Sequence, residues 1–173
     1  MKLICKPYFN LQMKQLMLIR HAKSSWDLQF NDHERPLAPR GNQDAQLVSV
    51  AIEKYLPDNF MIWCSTAKRA RETALIFAKN IFLDAGNIVF KEELYTFDNI
   101  ELARIIKSCD DDIDNLIVFG HNEAITNFVN KFGNTFIDNV PTCGFVSIIF
   151  DSKTWKNIGR GVTKNVVFPR DLR

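Results

Sequence analysis

Hydrophobic and polar positions along the chain fall into two alternating patterns. Short apolar runs, each with at most one polar interruption, occupy residues 16–19, 60–64, 88–90, 116–119 and 145–150. Such runs suit strands buried on both faces, as in the parallel sheet of an α/β domain. Between them the apolar residues recur at helical spacing. Leu47, Val48, Ala51, Ile52 and Tyr55 form one stripe, placed after Gly41 and before Pro57, and Ala70, Ala74, Phe77 and Ile81 form a second, stopped near Gly86. Asp98 with Glu101 three residues on reads as an N-cap that opens a third helix through Ala103 and Ile106. Ala124, Ile125, Phe128, Val129 and Phe132 predict a fourth, ended at Gly133. This alternation predicts an α/β protein, a three-layer α/β/α sandwich with a mostly parallel central sheet. Asp110, Asp111 and Asp112 are expected in a solvated turn, and residues 165–168 as a last short strand before Pro169.

Composition narrows the classes. A chain of 173 residues favours one domain, here residues 13–173, with residues 1–12 read as a loose N-terminal extension ahead of Met13. Lys and Arg number 22 against 20 Asp and Glu, a formal charge of +2, which argues against a broad nucleic-acid surface. No apolar run approaches the roughly 20 residues of a membrane span, so no membrane association is expected. Cys5, Cys64, Cys109 and Cys143 form no C-x-x-C pair, so neither a zinc knuckle nor a redox motif is available. A cytoplasmic location is the expectation.

The chemistry gathers at predicted strand ends, where open α/β sheets collect ligands. The first strand runs into Arg20-His21-Ala22-Lys23-Ser24, the second passes Ser65 and Thr66 into a helix carrying Lys68, Arg69 and Arg71, and the fourth ends in Gly120-His121-Asn122. If these strands are neighbours, two histidines and at least two arginines share one pocket. Arginine forks and helix N-termini suit a phosphoryl group, and a neutral imidazole among arginines is a nucleophile near neutral pH. Phosphoryl transfer to histidine and then to water would need no metal and no cofactor if arginines neutralise the oxygens. His33 is expected on a surface loop with Arg35 bracing it, Lys23 at the pocket rim or facing water, and Trp26 and Trp155 as packing residues.

Together these segments resemble the histidine phosphatase superfamily, with its phosphoglycerate mutase-like fold. Residues 18–22 are similar to its strand ending in Arg-His-Gly, residues 65–73 to its Ser-x-x-x-Arg-Ala-x-x-Thr helix opening, and residues 118–121 to its second-histidine strand end. Arg35-Pro36-Leu37, Gly41, Pro141-Thr142 and the segment from Pro169 to Leu172 resemble the short, SixA-like phosphohistidine phosphatase branch. The resemblance implies that His21 is the nucleophile, that Arg20 and Arg69 clamp the phosphoryl oxygens, and that His121 stabilises the transferring group. Ser65 is then a candidate to orient His21 or the clamp, with Ser24 and Thr142 as further substrate contacts. Ala22 replaces the usual glycine, so its backbone must not need a positive φ. Asp27 stands where many relatives place a phosphate-contacting asparagine. Ester-cleaving members use a carboxylate as general acid, for which Glu93 and Glu92 are the candidates; phosphoramidate-cleaving members lack it. Short connections suit a phosphorylated protein surface or a small phosphorylated substrate. The implied activity is a metal-independent phosphatase acting on protein phosphohistidine or related phosphoramidates. The alternatives are a broad phosphate-monoester phosphatase and a non-catalytic phosphate-binding module.

Overall fold

A computed structural model describes residues 13–26 and 29–173. The N-terminal extension and Asp27 therefore lie outside the described residues. Six strands, β1 (Lys14–Arg20), β2 (Met61–Ser65), β3 (Ile88–Lys91), β4 (Asn115–Gly120), β5 (Phe145–Phe150) and β6 (Val162–Val167), form one sheet in the order β3-β2-β4-β1-β5-β6. β3, β2, β4 and β1 are parallel, while β5 pairs antiparallel with both β1 and β6. The helices are α1 (Pro39–Ile52), α2 (Lys68–Asn80), α3 (Asn99–Ile106) and α4 (Ala124–Phe132).

Side-chain alternation along the central strands generates two cores. Leu16, Leu18, Leu116 and Val118 pack with α3 and α4 residues such as Ile105 and Phe128. Met17, Ile19, Ile117 and Phe119 pack with α1 and α2 residues such as Val48 and Phe77. The uninterrupted apolar runs of β1 and β4 thus serve both faces of the sheet, which completes the three layers.

The edges depart from the sequence expectation. Val89 and Phe90 of β3 are 41% and 42% exposed, because an edge strand lacks the second cover that a central strand has. β6 starts at Val162, earlier than the apolar run at its end; half of this edge strand is polar, with Asn165 N–H donating to Ser147 Oγ. Helix α1 buries Val48 and Ile52 of its expected stripe but turns a wider, partly polar face inward. Leu47 is exposed, whereas Asp44 and Ser49 are buried, the first held by Arg173 and the second by Gln46 and Asn80. Polar residues with internal partners can occupy a buried face, and an apolar count misses them. Asp98 caps α3 as its spacing predicts, its Oδ1 accepting from Ile100 N–H at 2.6 Å and Glu101 N–H at 3.3 Å. The turn at residues 110–112 is exposed but not idle: Asp111 Oδ1 accepts from Trp155 N–H at 2.8 Å, and Trp155 is fully buried.

Helix α1 begins before Gly41, with Pro39 in its first turn. Gly41 instead serves a close approach. A Cβ there would lie 2.1 Å from the Lys23 carbonyl oxygen, two residues beyond His21. Gly41→Ala should therefore force the segment after β1 away from α1. The expected cost is about 1–3 kcal/mol, read as a lowered denaturant midpoint at unchanged m-value. An unchanged midpoint would show that this contact is slack.

Candidate active site

Connection topology fixes where the site forms. β1 and β4 are adjacent and parallel, with Arg20 paired to Gly120, and the His21 amide donates to Gly120 O at 3.0 Å. From these ends the chain departs to opposite faces, through α1 on one and α4 on the other. A crevice opens where the connections diverge. The His21 and His121 ring centroids lie there, 5.1 Å apart.

A cavity of about 320 Å³ is lined by Arg20, His21, Ser24, Arg69 and Thr142, together with Lys23, Arg35 and Asp32. Four cations therefore face one carboxylate in a protein of nearly neutral total charge. Lys23 borders the cavity although its side chain is largely exposed. Thr142 reaches it because the loop before β5 turns back: Cys143, at φ 61°, donates its N–H to the carbonyls of Arg20 and His21. Ala22 N–H donates to Thr73 Oγ1 at 3.0 Å, and its φ is not positive, so an alanine is accommodated.

His21 is held in one orientation. Its Nδ1–H donates to the Ala22 carbonyl at 2.8 Å, which leaves the lone pair on Nε2, and Arg69 Nε donates to that lone pair at 3.2 Å. Burial lowers the His21 pKa to about 3, with Arg69, Arg20 and Arg35 adding to the depression against the opposing Ala22 hydrogen bond. The imidazole is neutral and nucleophilic over the whole physiological range.

His121 is 1% exposed, and its ring meets that of His21 at a 52° tilt. Burial first, and then His21 and Arg69, lower its pKa to about 2. Its Nε2 is 2.8 Å from Ser65 Oγ, which accepts from Ala67 N–H; when the serine hydroxyl donates to Nε2, the ring proton sits on Nδ1. Ser65 thus orients His121, not His21 or an arginine. The His121 Nδ1 and Arg20 Nε atoms are buried without a protein partner. Two orphan nitrogens beside a cationic cavity are donors awaiting an anion. Arg20 is otherwise anchored by Nη1 donating to Val140 O at 2.8 Å. Burial lowers its pKa below the ordinary guanidinium value, Glu123 opposes that shift, and the guanidinium stays charged.

The carboxylates are arranged differently from the sequence expectation. Neither Glu92 nor Glu93 lines the cavity: Glu92 accepts from the Thr66 hydroxyl, and Glu93 lies 3.7 Å from Lys91. The carboxylate beside His21 is Asp32, which pairs with Arg69 Nη2 at 3.1 Å and Arg35 Nη2 at 3.0 Å and accepts from the Tyr95 hydroxyl. Burial raises Asp32, but Tyr95, Arg69 and Arg35 together outweigh it, and its pKa falls below the ordinary carboxylate value. His33 is not a free surface histidine: its Nε2 is 3.1 Å from Thr66 Oγ1 and its ring meets Tyr95 edge-on. Trp26 is not a packing residue either, being 75% exposed at the cavity mouth beneath the Arg35 guanidinium at 3.9 Å. Phe97, half-exposed, covers His121 at 5.5 Å between centroids. The acidic residue at position 32 carries only a local signal, its i,i+3 spacing to Arg35; its pairing with Arg69 spans 37 positions and leaves no mark in the sequence.

Residues 16–94 match the family described as Histidine phosphatase superfamily (branch 1). An uncharacterized chloroplastic protein of Arabidopsis thaliana, At3g52155, is 30% identical over 155 residues, covering 83% of this chain and 69% of that protein. The chain belongs to the histidine phosphatase superfamily. The uncharacterized proteins ML1117 of Mycobacterium leprae and Rv1276c of Mycobacterium tuberculosis are 33% and 36% identical, and the matched regions span 66% and 62% of their lengths. These regions cover 62% and 60% of this chain. Its fold is that of the protein histidine phosphatase SixA solved in complex with tungstate, with a TM-score of 0.77 at 17% identity, covering 92% of this chain and 99% of that one. It is also that of a phosphoserine phosphatase of Entamoeba histolytica, with a TM-score of 0.61 at 16% identity over 92% and 100% of the two chains. Among the described residues, no helix is long and apolar enough to cross a membrane.

Proposed function

We propose that this protein is a phosphatase that works through a phosphohistidine on His21 and hydrolyses phosphohistidine or a related phosphoramidate. The observation that carries the reading is the pair of orphaned buried nitrogens, Arg20 Nε and His121 Nδ1, flanking a neutral His21 whose Nε2 lone pair is fixed. A phosphoryl group entering this cavity meets donors whose desolvation cost is already spent, the condition under which electrostatic stabilisation of a transferring group is strongest. Arg69 Nε, which caps the His21 lone pair at 3.2 Å, turns to a phosphoryl oxygen as Nε2 attacks phosphorus. The P–N bond of the substrate breaks, and its electron pair stays on the departing nitrogen. That imidazole leaves neutral because its other nitrogen carries the proton. Water then attacks the phosphorus on His21, giving up its proton to phosphate or solvent. Nε2 recovers its lone pair, and Nδ1–H remains on Ala22 O throughout. Four cationic side chains supply the positive charge that a metal would otherwise bring.

Leaving-group chemistry separates this reading from an ester phosphatase. An alkoxide departs well only when an acid protonates it. Asp32, the carboxylate in the cavity, is held ionised, and Glu92 and Glu93 lie outside. The substrate is thus a phosphorylated protein or small molecule with a P–N bond. Parallel assays on a phosphohistidine carrier protein, phosphoramidate and a panel of alkyl phosphates should give kcat/KM at least about 100-fold higher for the P–N compounds, with EDTA inert. Equal rates on alkyl phosphates would reject the phosphoramidate assignment, and loss of those rates in Glu92→Gln or Glu93→Gln would identify the acid.

A further inference from the structure

Beside the catalytic cavity lies a second of about 220 Å³, which shares Lys23 and Thr142 with it and is also walled by Arg40, Asp44, Arg170 and Arg173, with Pro141 and Pro169 between them in the lining. Asp44, 3% exposed, forms its floor and is taken by Arg173, whose Nη2 lies 2.6 Å from its Oδ1. Arg40 reaches the same carboxylate only at 3.9 Å. Asp171, 3.6 Å from Arg170, is exposed and does not line the cavity, so water screens that pair. Lys23 has no ion-pair partner among the described residues. Once Asp44 and Arg173 cancel, Lys23, Arg40 and Arg170 remain as positive charge in the cavity that adjoins the nucleophile's.

A third cavity, of about 390 Å³, continues from the second through Pro141 and Arg170 toward Phe136, which is 80% exposed. The three are linked in series, through Lys23 and Thr142 and then through Pro141 and Arg170. A small phosphoramidate fills only the first; a protein surface can follow all three. We infer that the Lys23–Arg40–Arg170 cavity is an acidic-residue subsite, which receives a carboxylate side chain of the phosphorylated protein while its phosphoryl group sits at His21. Arginine forks at Arg40 and Arg170 match a carboxylate in shape as well as charge. The occupant is a protein because the apolar surface at both ends, Trp26 and Phe97 at the catalytic mouth and Phe136 beyond Arg170, offers contact that a lone metabolite cannot reach.

The inference rests on the proposed function for the identity of the protein substrate, and its test has an arm that does not. The double variant Arg40→Gln, Arg170→Gln leaves the Asp44–Arg173 pair and the catalytic cavity in place. Its KM for a phosphohistidine carrier protein should rise roughly tenfold, with a weaker dependence on salt and an unchanged kcat. Kinetics on p-nitrophenyl phosphate should not move. In the second arm, a short poly-glutamate peptide titrated against Trp26 fluorescence should bind the wild type, and the variant roughly tenfold less tightly. Unchanged KM and peptide affinity would overturn the subsite, as would an equal loss on p-nitrophenyl phosphate. If the wild type cleaves p-nitrophenyl phosphate but no phosphohistidine protein, the proposed function fails, and the peptide arm alone decides whether the acidic-residue subsite exists.

Discussion

His21→Ala should lose hydrolysis of every substrate by roughly 10⁴-fold or more, measured as kcat/KM, while the fold persists. The side chain has one hydrogen bond to the backbone and one from Arg69 Nε, and its removal leaves the Ala22 carbonyl and that guanidinium N–H in need of new partners, which water entering the vacated space can supply. No second nucleophile stands ready among the described residues. His121 has its Nε2 engaged with Ser65, and burial lifts the Cys64 and Cys143 thiols far above the pH at which a thiolate forms. Wild-type protein quenched during turnover should carry acid-labile, base-stable phosphate, and the variant none. Residual turnover above a few per cent in His21→Ala would mean that water attacks the substrate directly. In that case His21 would be a positioning residue.

Why one part of this site was readable in the sequence and another was not follows from how each residue is held. Arg20, His21, Arg69 and His121 stand at the ends of strands or the first turn of a helix, so chain order and periodicity alone bring them near one sheet edge. The central strands were legible for a similar reason, since burial on both faces forces uninterrupted apolar runs. Asp32 opens a single 3-10 turn (Asp32–Glu34), and Tyr95 and Phe97 lie in the loop before α3; these segments are too short to carry a period, and tertiary contacts set their positions. Glu92 and Glu93 show the converse. They occupy the expected stretch after β3, yet the short helical turn from Glu92 to Leu94 directs one to Thr66 and the other toward Lys91. The polar face of α1 was hidden because Asp44 finds its counter-charge 129 positions away, at Arg173.

Acid should unfold this protein earlier than its carboxylates would dictate. His21 and His121 titrate at about 3 and 2 when folded, chiefly because burial disfavours the imidazolium, against about 6.5 in an unfolded chain. The neutral rings therefore contribute fully only above pH 6.5. Below it the unfolded state takes up protons that the folded state refuses, so stability falls with falling pH and continues to fall until the folded values are reached. Between pH 7 and pH 5 each histidine should subtract about 2 kcal/mol, together about 4 kcal/mol of a total that for most domains is 5–15. Equilibrium urea unfolding at the two pH values measures this directly. The double variant His21→Asn, His121→Gln keeps an amide N–H for Ala22 O and a polar partner for Ser65, and it should flatten the slope by most of that amount. Asp32, whose folded pKa is depressed, adds its own loss only as pH falls below about 4, outside this window. Inorganic phosphate should lessen the acid loss, because an anion among Arg20 and Arg69 offsets the positive field that adds to burial in keeping both imidazoles neutral. A wild-type slope as shallow as that of the double variant would mean that water reaches these rings and that the cavity does not enforce their neutrality.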